Sequence, residues 1–236
     1  MTERGRFIVF DGADGAGTTT QSKLLFDKLS KKLGEGNVIW TCEPSTGPIG
    51  TFIRSVLKSE VPPPCNEAMK LLFRADRKDH VISEIEWPLS TGKWVICDRY
   101  YASTLIYQGA KDFLNDPMKF GEKTLPDKMS YLRDMRVWMD RSEGLLFPDL
   151  TIILDVSVDE VESRRISKTD SPEIYENTLM QTEVCKLYKG WGSYNPWPEN
   201  NVIVDGCMDI NAVETRCYEI IEETFFDKIP AGGGYR

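Results

Sequence analysis

Five short runs of the chain are apolar almost without interruption: Phe7-Ile8-Val9-Phe10, Val38-Ile39-Trp40, Trp94-Val95-Ile96-Cys97, Leu150-Thr151-Ile152-Ile153-Leu154 and Val202-Ile203-Val204. A strand with one wet face would alternate. Continuous runs of this length read instead as strands covered on both faces, as in a parallel sheet under helices. Between and after them apolar residues recur at helical spacing, as at Leu24, Leu25, Leu29 and Leu33 and again at Val213, Cys217, Ile220, Ile221 and Phe225. The β-α alternation predicts an α/β fold: an open parallel sheet of about five strands, right-handed crossovers, helices on both faces, and ligands at the carboxyl ends of the strands. Four of the runs are followed by aspartate, at Asp11, Asp98, Asp155 and Asp205, and the second by Thr41-Cys42-Glu43. Carboxylates at that edge suit metal and phosphate chemistry, although Asp155 and Asp205 read equally as caps of the next turn.

Composition narrows the classes. At 236 residues, 41% apolar and 28% charged, the chain is that of a folded protein with one sizeable core, and a single domain over residues 1–236 is expected. Twenty-nine basic against thirty-seven acidic residues give a net charge of -8, which disfavours a sequence-independent grip on nucleic acid. No apolar run approaches the roughly 18 to 20 residues of a membrane span, and the polar start lacks the apolar core of a signal peptide, so a cytoplasmic protein with no membrane partner is expected. The six cysteines (Cys42, Cys65, Cys97, Cys185, Cys207, Cys217) stand singly, and His80 is the only histidine. Structural zinc and a histidine-based triad are therefore set aside, and the thiols are expected to be reduced and buried. The glycine-rich end, residues 230–236, is expected to be a mobile tail.

The stretch from Asp11 to Gln21, Asp-Gly-Ala-Asp-Gly-Ala-Gly-Thr-Thr-Thr-Gln, follows the first strand and opens the first helix. Glycines in this setting let backbone N–H groups converge on phosphate at a helix N-terminus. The Walker A pattern asks for Gly, four residues, Gly, Lys, then Ser or Thr. Gly12, Gly17 and Thr19 comply, but the lysine position holds Thr18. A glycine turn can be merely structural; the strand before and helix after favour a P-loop. The loss of one preorganised donor bears on rate, typically by ~10²–10³, more than on nucleotide binding.

Taken with this loop, Thr41-Cys42-Glu43-Pro44, Leu71-Leu72-Phe73-Arg74-Ala75-Asp76-Arg77 and, most specifically, the run from Cys97 to Gly109 resemble the thymidylate kinase family in order and spacing. The resemblance covers Phe7 to about Asp155 and continues more weakly to the end. It implies a five-stranded parallel sheet, a homodimer, and Mg²⁺-dependent transfer of the γ-phosphoryl of ATP to dTMP. It further implies that Gly12, Ala13, Asp14, Gly15, Ala16, Gly17, Thr18, Thr19 and Thr20 hold ATP phosphates, with Thr19 and Asp98 at the metal. For the acceptor it implies Phe73 stacked on the base, Arg77 donating to a base carbonyl, and Ser103 and Thr104 at the base edge. Tyr107, supported by Gln108, would lie against the sugar, Asp14 at the 3′-hydroxyl, Glu43 in the site, and Arg99 and Arg54 on the monophosphate. Cys42 stands where the family has an arginine in Arg-Glu-Pro, which removes one cation. Gly15 stands where one branch carries a loop arginine, so the chain belongs with the branch whose arginines lie on a lid, here residues 163–177, with Arg164, Arg165 and Lys168 as candidates. Three alternatives stay open at this point: another acceptor such as dUMP or a further 5-substituted deoxyuridylate, a deoxynucleoside kinase, and a nucleotide-binding protein with weak or no kinase activity because of Thr18 and Cys42.

Overall fold

A computed structural model describes residues 3–166, 177–193 and 200–226. Its centre is a five-stranded, wholly parallel sheet in the order β2-β3-β1-β4-β5, formed by β1 (Phe7–Gly12), β2 (Val38–Cys42), β3 (Trp94–Asp98), β4 (Leu150–Asp155) and β5 (Asn200–Asp205). The runs read from the sequence lie within these strands, and four of the five begin at the strand's first residue. Every residue of β1 is buried, as are the first five of β4, while β5 at the edge is largely open. The aspartates at positions 98, 155 and 205 are the last residues of their strands.

Helices cover both faces. On one, α1 (Thr18–Leu33) packs against α10 (Ile210–Ile221); on the other, α5 (Tyr101–Asn115) packs against α3 (Asn66–His80), α7 (Leu125–Glu143) and α9 (Thr178–Ser193). The described residues also form the shorter helices α2 (Pro48–Leu57), α4 (Glu86–Ser90), α6 (Pro117–Phe120) and α8 (Val158–Ile166), and π-helical turns at Val81–Ile85 and Glu222–Phe226. No helix among the described residues is long and apolar enough to cross a membrane.

Two features of this frame set the site. From β1 the chain crosses one way to β2 and β3 and the other way to β4 and β5, so a crevice opens at the carboxyl end of β1. Into that crevice projects the N-terminus of α1, whose capping residue is Gly17, with φ +96° and no side-chain cap. A helix start without a side-chain cap leaves N–H donors for an anion, and residues with φ > 0 at Gly15 (+80°) and Gly17 let the loop turn tightly enough to present them.

Candidate active site

The crevice is a cavity of about 1320 Å³, above the volume usual for one drug-sized ligand. Of the residues singled out in the sequence, it is lined by loop residues Asp14 to Thr20, by Glu43, Arg54, Phe73 and Arg77, by Asp98, Arg99, Ser103, Thr104, Tyr107 and Gln108, and by Arg164. Gly12 and Ala13 lie buried beneath the loop. The Arg165 side chain, Lys168, most of the expected lid and the 230–236 tail lie outside the described residues.

The loop end of the cavity carries the metal-type donors. Thr19, in the first turn of α1, donates its hydroxyl to Asp98 Oδ2 at the end of β3. The other oxygen, Asp98 Oδ1, is buried without a hydrogen-bond partner. A buried carboxylate oxygen left unpaired is costly. Together with a hydroxyl beside it, this is a donor set for Mg²⁺, which leans on one or two protein oxygens and takes the rest from water and substrate phosphate.

Arg99 adopts φ +69°, a conformation that costs a non-glycine residue energy. Its side chain turns back onto the loop, donating to the Gly12 carbonyl at 2.8 Å, to Asp14 Oδ1 at 2.8 Å and to Ser103 Oγ at 3.0 Å. It therefore braces the loop, a role that the resemblance, which put Arg99 on the monophosphate, did not imply. Ser103 is also committed: its hydroxyl donates to Asp11 Oδ1 at 2.6 Å, and the same oxygen accepts from Tyr188 at 2.5 Å. Burial pushes the Asp11 carboxyl above its usual range, with Arg99 and these two hydroxyls pulling it back. Tyr188 and Tyr107 are buried, and burial raises both phenols well above their ordinary value, so both remain neutral donors.

The far end is built on a buried ion pair. Arg77 donates through Nε and Nη2 to Glu43 Oε2 at 2.9 and 2.7 Å, and through Nη2 to Thr104 Oγ1 at 2.7 Å. Glu43 is steadied in turn by His80, whose Nε2 contacts Thr41 Oγ1 at 2.6 Å. The loop after β2 is fixed to α3 by Asp76, which accepts from the Ser45 amide and hydroxyl. Arg54 reaches into the same loop, donating to the Pro44 carbonyl and lying 3.2 Å from Cys42 Sγ. Phe73 is half-buried beside this cluster, while its neighbour Leu71 is exposed, so Leu71-Leu72-Phe73 is not one buried face.

The cysteine expectation needs correction. All six thiols are free, but only Cys97, Cys185 and Cys217 are buried; Cys65 and Cys207 are exposed and Cys42 is half-buried. Cys42 and Cys207 line the cavity, because the ends of β2 and β5 lie at the ligand-binding edge. Asp205 serves the turn reading, accepting from the Cys207 amide at 2.9 Å.

Arg164, from α8, crosses to the loop: Nη1 donates to the Gly15 and Ala16 carbonyls at 3.0 and 3.3 Å, Nη2 to Gly206 at 2.7 Å, and Nε to Glu160 at 2.6 Å. Sequence reasoning missed the loop after β5, residues 206–209, which with the start of α10 forms the cavity wall beside Arg164. The turn signal Asp205-Gly206 at a strand end was the clue. It also missed Gln181, whose amide donates to Asp14 Oδ2 at 2.8 Å, and Tyr188; their distance in sequence from the loop left no local signal.

The family model for thymidylate kinase matches residues 10–215. The chain belongs to the thymidylate kinase family. It is thus a nucleoside monophosphate kinase. Among relatives, a probable thymidylate kinase of Methanococcus aeolicus is 35% identical over 229 residues, covering 95% of this chain and 98% of the relative. A thymidylate kinase of Bradyrhizobium is 33% identical over 238 residues, covering 97% and 94%. The solved thymidylate kinase of Candida albicans superimposes with a TM-score of 0.72 at 28% identity, over 94% of this chain and 93% of that one.

Proposed function

We propose that this cavity is where the chain, as a thymidylate kinase, transfers the γ-phosphoryl of ATP to dTMP to give dTDP. The observation that carries the reading is the meeting of three parts in one cavity: an uncapped glycine loop, the Thr19 and Asp98 oxygens, and a far wall with Phe73, Arg77 and Thr104. Transfer of this kind asks the protein chiefly for positioning and charge stabilisation.

The backbone N–H groups of residues 15–20 receive the donor phosphates at the start of α1. Thr19 and Asp98 would hold Mg²⁺, which when bound neutralises charge on the transferring phosphoryl group. Arg54 meets the acceptor monophosphate. Arg99 shares that task by keeping Asp14 and the loop in register, so that the 3′-hydroxyl and phosphate of the acceptor are presented together. Arg164 supplies the cation that Thr18 does not: its guanidinium lies on the loop carbonyls and lines the cavity. Arg77, locked on Glu43, presents a fixed donor to a base carbonyl and rejects bases that offer a donor there. Tyr107, buried and neutral, closes the wall at the sugar.

A homodimer and a cytoplasmic location belong to the same reading and rest on family likeness. A coupled assay with ATP, Mg²⁺ and a panel of deoxynucleoside monophosphates tests it. Turnover greatest with dTMP is the expected result. Preference for dUMP or another 5-substituted deoxyuridylate, or ATP binding with no turnover, would overturn it.

A further inference from the structure

Gln181 and Tyr188 lie seven residues apart on α9, two helical turns, and so share a face. Each reaches one of two carboxylates, one near the end of β1 and one in the loop after it: Gln181 Nε2 donates to Asp14 Oδ2 at 2.8 Å, and Tyr188 donates to Asp11 Oδ1 at 2.5 Å. Arg99 bridges the same two acids, directly at Asp14 Oδ1 and through Ser103 at Asp11. The hydrogen bonds thus close a ring from α9 through the loop and back to α9.

From this ring we infer that Gln181 is a positioning residue for the acceptor's 3′-hydroxyl, acting through Asp14; the inference rests on the reading of Asp14 as the group that meets that hydroxyl. Gln181 is only 2% exposed. A buried amide is costly where packing is all that is needed, and an apolar side chain would fill the space more cheaply. Its use becomes clear at Asp14. An ionised carboxylate has about four acceptor positions; Arg99 and Gln181 take one on each oxygen, and the Tyr107 hydroxyl also interacts with it. The remaining capacity belongs to a group that lines the cavity. Without Gln181, the two-pronged guanidinium of Arg99 would be free to draw both Asp14 oxygens onto itself, the arrangement such pairs favour. The carboxylate would then turn from the cavity and lose its hold on a substrate hydroxyl. Gln181 holds the second oxygen away from Arg99.

The test compares dTMP with its 3′-deoxy analogue in the full-length enzyme. Gln181→Met keeps length and volume but removes the donor, and Gln181→Leu gives the same comparison if the methionine variant fails to fold. The KM for dTMP should rise about tenfold, the low end for a lost hydrogen bond to a charged group, while the KM for the 3′-deoxy analogue and for ATP stays unchanged. Asp14→Ala, measured in parallel, should abolish the preference for the 3′-hydroxyl altogether. If Asp14→Ala abolishes it but the Gln181 variants leave it intact, or weaken both acceptors equally, Gln181 merely packs and the inference falls. If Asp14→Ala itself leaves the preference intact, the inference falls together with the reading of Asp14 on which it stands.

Discussion

Arg164 Nη1 donates to the carbonyl oxygen of Gly15 at 3.0 Å, so a cation from α8 stands on a phosphate loop that carries Thr18 in its lysine position. If that cation has taken over the stabilising role, Arg164→Ala should lower kcat by about 10²–10³, the usual worth of one preorganised donor. Thr18→Lys should then gain little in the wild type but recover part of the loss in the Arg164→Ala background. Steady-state kinetics on the two single variants and their combination measure this. A large gain from Thr18→Lys alone, with Arg164→Ala near wild type, would mean that the missing lysine is uncompensated by Arg164.

Arg54 and Arg99 should separate in their effects. Among the described residues the Arg54 guanidinium bonds Cys42, at the end of β2, and Pro44 just after it, so Arg54→Ala should weaken dTMP binding by about 1.5–3 kcal/mol, the worth of a charge-assisted contact, with ATP affinity unchanged. Arg99 also braces residues 12–14, and Arg99→Ala should weaken both nucleotides and lower the melting temperature. Calorimetric titrations and a thermal melt distinguish the pair; unchanged dTMP binding in both variants would remove them from the monophosphate.

Phe73→Ala should cost acceptor affinity about 1–3 kcal/mol, the range for a base stacked on an aromatic ring. ATP affinity should be indifferent to it. The reverse pattern in competition titrations would put Phe73 at the donor base.

The Glu43–Arg77 pair is buried, with side chains 5% and 3% exposed. Removing one partner strands the other charge in the interior, which typically costs about 3–5 kcal/mol. Arg77→Met should therefore shift the urea midpoint strongly as well as damage acceptor selection. A loss below about 1 kcal/mol, as for a surface pair, would show that Glu43 is adequately served by His80 alone.

Cys42 offers a pH test. Burial pushes its thiol above the ordinary value of 9.0, with Arg54 pulling it down and Asp98 and Glu43 adding to the rise. A thiol below its pKa is protonated and a poor nucleophile. At neutral pH Cys42 should be alkylated by iodoacetamide more slowly than exposed Cys65 and Cys207, and its rate should keep climbing beyond pH 9. Bound dTMP should slow it further. Peptide mass spectrometry after timed labelling reads all three sites; labelling of Cys42 as fast as Cys65 at pH 7 would contradict the shift.

Much of this protein is written locally. Uninterrupted apolar runs are what a strand buried on both faces requires, and the five found in the sequence became the five parallel strands. The glycine loop was legible because a strand, a tight turn and a helix start follow one another within a dozen residues, and the Asp98-Arg99 and Arg77 motifs because the resemblance covered them. Which partners those residues have was decided by crossovers that fold distant segments onto one edge. Arg99 reads as a phosphate ligand but is bound to residues more than eighty positions earlier. Gln181 and Tyr188 have no local pattern at all, since hydrogen bonds across more than 160 residues depend on where α9 docks. Local periodicity follows from the geometry of one helix or strand and can be read along the chain. The partner of a polar side chain is fixed only when the packed core brings another element within 3 Å, and that is information the tertiary structure alone holds.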